Sequence, residues 1–193
     1  MVVRCPQAVI MARGLFHATD YRPFDCRYGV RRRTLMLPFP YAKLIHEKLS
    51  TILTFAYSHA PLEKMLDTKF KGEWKFLRKT IYGVGAERAI LACIELATLM
   101  RLLDDAEKIS DYLKQNPKPN RGSFGKVFKS AGAEEPLYLR DVTNKIIHAK
   151  DWKWDLDVPE QPKLICISDE PKRWKVAAIE IQKLAAFCGN LGH

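Results

Sequence analysis

Residues Ala86 to Gln115 read AERAILACIELATLMRLLDDAEKISDYLKQ. Leu96, Leu99, Leu103, Ala106 and Leu113 keep three- and four-residue spacing along one face, the period of a helix. Ile90, Leu91, Ile94 and Leu102 fill other faces, so the first half is apolar nearly all round. A helix apolar on every side belongs at the centre of a bundle. Asp104-Asp105 mark a bend or the end of its buried part.

Working upstream, Leu44, Ile45, Leu49, Ile52, Leu53 and Ala56 predict a helix from Tyr41, with Pro38 and Pro40 blocking an earlier start. Ser58 to Pro61 predicts a break, with Pro61 opening a second helix at its first position. That second helix runs from Leu62 to about Tyr82 and stops at Gly83-Val84-Gly85. Working downstream, Asn116 to Pro136 reads as a loop with at most one helical turn. Leu137 to Ala149 predicts another helix. After His148 the period changes. Residues 152–158, 163–168 and 174–181 are short, aromatic and β-branched, separated by Pro-containing turns, and read as three strands. The third also reads as the start of a last helix over Gln182–Leu191. The expected architecture is α+β, mainly α: an antiparallel helical bundle, then a small β-meander and a C-terminal helix.

The chain has 193 residues, 47% hydrophobic and 28% charged. This length supports a core without metal or disulfide staples. The composition excludes disordered and fibrous classes, and no apolar run is long enough to span a membrane. The formal charge is +10, from 32 Lys and Arg against 22 Asp and Glu. Residues 1–35 carry seven Arg, no Lys and two acids, a net +5, so half of the charge lies in less than a fifth of the chain. This segment reads as a poorly ordered extension, a nucleic-acid-binding arm or a targeting peptide, beside a folded domain over 36–193. Five scattered cysteines without a Cys-x-x-Cys pair favour a reducing, cytoplasmic compartment and give no metal-ligand spacing.

Arg121-Gly-Ser-Phe-Gly-Lys-Val127 looks like part of a protein-kinase glycine-rich loop, but one glycine and every other kinase motif are missing. It reads instead as a basic loop whose Arg121, Lys126 and Lys129 are placed to touch phosphates. Leu139, Val142, Ile146 and Ala149 form one core-facing stripe of the 137–149 helix. Arg140, Asn144 and His148, spaced four and four, form a second stripe nearly opposite. Lys145 adds a cation on the same helix. Trp152, Trp154 and Trp174 together offer a platform for bases, but Trp152 and Trp154 share one strand face, which favours a cover for the helical core.

The segment Asn144-Lys-Ile-Ile-His148, followed by Ala149, resembles the end of the Arg-x4-6-His motif of the HEPN superfamily. The resemblance is specific over about ten residues and general over 41–149. It implies a helical bundle, a homodimer and metal-independent RNA cleavage with no cofactor. It assigns His148 to proton transfer or positioning and Arg140 to phosphate charge, with Asn144 between them. Thr143 stands where the motif has its arginine, and Arg140 lies two helical turns from His148, about 12 Å along the axis. The implied function is RNA-directed: an endoribonuclease of a bacterial defence, toxin or mobile-element type, with room for an antitoxin-type protein partner. The alternative is a non-catalytic helical module that serves dimerisation, with His148 and Asn144 as packed polar residues.

Overall fold

The computed structural model describes residues 40–69, 72, 76–115, 122–130 and 132–191. The 1–35 extension and Arg121 lie outside them. The fold is α+β and mainly helical. Helix α1 spans Tyr41–Thr68. A short α2, Phe76–Arg78, runs through a π-helical turn, Lys79–Val84, into α3, Gly85–Glu107. Helix α4, Ile109–Gln115, is followed by strands β1, Gly125–Phe128, and β2, Glu134–Pro136. Then come α5, Leu139–Ile147, β3, Asp151–Asp155, β4, Lys163–Ile167, β5, Val176–Glu180, and α6, Ile181–Gly189. The strands form one antiparallel sheet in the order β2-β1-β5-β4-β3.

Four expectations from the sequence are corrected. The break at Pro61 is absent: α1 runs straight through it. Pro61 offers no N–H to the preceding turn. Ile45, Leu49, Ile52, Ala56 and Leu66 nevertheless bury one continuous stripe on both sides of it, and that burial holds the helix together. Gly83-Val84-Gly85 does not stop a helix either. A Cβ added at Gly85 would lie 3.2 Å from the Phe55 ring, so this glycine lets α3 approach α1 closely.

The 116–136 loop contains the β1–β2 hairpin, and the expected three-stranded meander is therefore a five-stranded sheet. Strand β1 pairs with β5 through Gly125↔Ile179 and Val127↔Ala177. Gly125 has φ +151, and a Cβ there would fall 2.0 Å from the Ala178 carbonyl oxygen. The glycine of the kinase-like motif thus admits a neighbouring strand. The fourth correction is on α3. Its one-helix reading ends at Glu107, where Lys108 takes the left-handed conformation at φ 55 and a separate α4 begins. Its outer face is not buried as a central helix requires: Leu91 is 56% and Leu102 50% exposed.

Lys48–Glu95 and the Phe55–Gly85 approach show α1 and α3 running antiparallel. Arg140–Asp104 and Arg101–Asn144 show the same for α3 and α5. The sheet packs one face on these helices and α6. Two cross-strand rows form that face, Val127-Ala177-Cys166-Trp152 and Gly125-Ile179-Leu164-Trp154. Side chains such as Ile45, Ile52, Leu96, Ile146 and Leu164 are fully enclosed, each stabilising the fold by roughly 1.5–3 kcal/mol. Trp152 Nε1–H donates to the Ile146 carbonyl at 3.0 Å, and Trp154 packs on Phe55, so both tryptophans cover the helical core as the sequence reading favoured. Burial pushes the thiols of Cys166 and Cys188 up to about 12, and Cys93 higher still, which leaves all three inert.

Candidate functional site

Helix α5 turns its apolar stripe, Leu139, Val142 and Ile146, into the core. Thr143 borders that stripe at 2% exposure, with its hydroxyl donating to the Arg140 carbonyl at 3.0 Å. The position that the HEPN motif gives to arginine is therefore a core position here. The polar stripe opposite divides into two ends.

At the N-terminal end Arg140 is occupied. Its Nη1 donates to Asp104 Oδ2 at 3.0 Å and to Asp105 Oδ1 at 2.5 Å. Asp104 is only 5% exposed. It also accepts the Ser110 backbone N–H at 2.6 Å and the Ser110 hydroxyl at 2.9 Å, which caps α4. A buried carboxylate of this kind needs its charge partner, and Arg140 supplies it. The Arg140 bond holds the Asp105 carboxyl below its usual range.

At the C-terminal end the stripe is open. Asn144, Lys145 and His148 line a groove of about 720 Å³ with Asp169, Glu170, Arg173 and Trp174 from the β4–β5 connection. His148 is exposed at the end of α5, its backbone N–H donating to the Asn144 carbonyl at 3.0 Å. Asn144 Oδ1 accepts from Arg101 Nη1 of α3. Lys145 Nζ sits 4.4 Å above the Trp174 ring, a cation–π arrangement. Burial pushes the Lys145 amine below its usual range; Asp141 opposes this, while Arg173 and Lys129 add to it.

The structure thus brings together three of the sequence candidates, Asn144, Lys145 and His148. It does not bring Arg140 into the groove. Lys126 and Lys129 stand on the hairpin, where they pair with Glu134 and Glu135. Trp174, which the sequence reading grouped with Trp152 and Trp154 as a platform for bases, stands in the groove apart from them; sequence reasoning missed Arg101 and Arg173. Arg101 lies 43 positions from Asn144, and no local spacing signals that pairing. Among the described residues no group of three or more His, Cys, Asp or Glu converges as a metal ion would need, and no helix is long and apolar enough to cross a membrane. Comparison with family models, curated proteins and solved structures gives no significant match.

Proposed function

We propose that the chain acts on RNA at the α5 groove, as a HEPN-like metal-independent endoribonuclease. The observation that carries the reading is the convergence of Asn144, Lys145, His148, Arg173 and Trp174 on one open groove, with the Arg101 guanidinium held on Asn144. In this reading Lys145 and Arg173 bind the phosphodiester, since cations lining an open groove attract a polyanion. His148 takes the proton of the ribose 2′-OH. The 2′ oxygen then bonds to phosphorus, the bond to the 5′ oxygen breaks, and water returns a proton to that leaving oxygen. Arg101 takes the part the motif gives to its arginine, reaching Asn144 from α3. Arg140 is left to the fold.

A second reading is favoured by one observation: Asp169 and Glu170 also line the groove, and Glu170 pairs with Arg173 at 3.3 Å. In that reading the chain is a binding module without catalysis. Incubation with structured RNA in EDTA, beside His148→Ala, separates the two. Cleavage that leaves cyclic-phosphate ends and disappears in the variant supports the enzyme. Salt-sensitive binding without cleavage supports the module. A folded protein with no RNA affinity in either form removes both.

A further inference from the structure

Among the described residues, three buried side-chain polar atoms have no hydrogen-bond partner. Two of them, His59 Nδ1 and Trp154 Nε1, belong to residues that line one cleft of about 520 Å³ between α1, the π-helical turn and β3. A buried polar group without a partner is costly and calls for an explanation. The volume is that of a small-molecule site.

The sequence builds this cleft as a row of rings. Phe55 and His59 are four residues apart on α1, so their side chains are neighbours on one face. Trp154 packs on Phe55 at 5.2 Å between ring centroids, and Tyr82 meets His59 edge-on at 4.9 Å. Two features hold the row in place. Gly85 lets α3 approach the Phe55 ring. The Tyr82 hydroxyl donates to the His59 carbonyl at 3.1 Å, which ties the π-helical turn Lys79–Val84 to α1. Single π-helical turns recur at functional sites.

The chemistry of the row defines a ligand. Rings on its walls suit a flat aromatic molecule. Trp154 Nε1–H can only donate. His59 Nε2 lies 3.5 Å from Glu63 Oε2, so the neutral imidazole keeps its proton on that nitrogen and Nδ1 accepts. One donor and one acceptor beside aromatic walls match the edge of a nucleobase, which offers both. The charges around the cleft cancel, Arg78 and Lys153 against Glu63 and Asp157, so no ionic group is required of the base. A second cleft of about 400 Å³ shares Phe55, His59 and Tyr82 with the first and carries the hydroxyls of Ser50, Thr54 and Ser58. Hydroxyls donate and accept, as a sugar requires.

We infer that this cleft is a nucleoside site. The base lies along the Trp154–Phe55–His59–Tyr82 row, between the indole N–H and the imidazole Nδ1, and the ribose lies in the hydroxyl-lined neighbour. Both nitrogens belong to half-buried residues, so a small side-chain rotation brings each to the base. The inference uses no residue of the α5 groove and does not depend on the cleavage reading. A free nucleoside and an unstacked base of RNA share this chemistry.

Titration of the full chain with adenosine, uridine, hexa-adenylate and hexa-uridylate tests it, followed by tryptophan emission and by the indole N–H resonances. For the oligonucleotides, a His148→Ala, Arg173→Ala background removes the contribution of the α5 groove. Saturation by a nucleoside, with a dissociation constant below about 1 mM, identifies a free ligand. Saturation by an oligonucleotide alone identifies a base carried on RNA. In either case the Trp154 indole resonance should move. Trp154→Phe and His59→Phe, which keep a ring at each position, should each weaken binding about fivefold or more. No saturation by any of these probes overturns the inference. So does saturation that leaves the Trp154 resonance in place, or binding indifferent to both substitutions.

Discussion

The two ends of the α5 polar stripe carry the same kinds of residue and do opposite things. At Arg140 the charge is consumed: Asp104, Asp105 and the α4 cap close around it. At His148 the side chain ends in an open groove with Lys145, Arg173 and Trp174 around it. The difference arises from what α3 presents to each end. Asp104, nearly buried, demands a cation, whereas Arg101 one turn earlier offers one to Asn144. A polar residue on a motif stripe is thus a fold residue where the facing helix needs it, and is free for chemistry where the facing helix does not.

Substitutions can break this contrast, beginning with the largest expected effect. Thr143→Arg restores the motif on paper, yet it places a guanidinium in the core beside Val142 and Ile146. It should cost on the order of 4 kcal/mol or more and lower the urea midpoint severely instead of raising activity. Ile146→Ala, on the core stripe, should cost about 2–5 kcal/mol by the same assay. Arg140→Ala leaves Asp104 buried without its cation. Because the arginine is partly exposed, the loss should be about 1–2 kcal/mol, with RNA cleavage by the folded fraction retained.

The same end should be acid-sensitive. Asp105 has its carboxyl held below the usual range, so its contribution is present above the ordinary aspartate value and lost as pH falls through the lowered one. Thermal melts should therefore lose stability in strong acid, and Arg140→Ala should flatten that part of the profile. At the other end, His148→Ala should change stability by no more than about 0.5 kcal/mol, measured by urea unfolding, while removing RNA cleavage. A large stability loss there would make His148 a fold residue as well.

The strands at 151–180, helix α5 and the starts of α1 and α3 were legible within a few residues, because burial on one face imposes a period that survives in the sequence; the ends of α1 and α3 were not, since Pro61 does not break the first and Lys108 closes the second early. The β1–β2 hairpin was not. Each of its strands is only three or four residues long, and its hold on the sheet comes from β5, some fifty residues away. Asn144 and His148 could be found from their spacing on one helix. Arg101 and Arg173 could not, since Arg173 enters the groove from the β4–β5 connection and Arg101 reaches Asn144 from α3.

Periodicity, then, carries the mainly helical α+β class, the α5 core stripe and the excess apolarity of α3, since each is a local record of which side must leave water. Whether Pro61 breaks a helix, whether Gly125 serves a ligand or a neighbouring strand, and whether Arg140 meets a carboxylate or the groove are long-range matters. They depend on which distant residue arrives opposite, such as Ala178 or Asp104, and local propensity yields when that contact buries more surface or satisfies a buried charge.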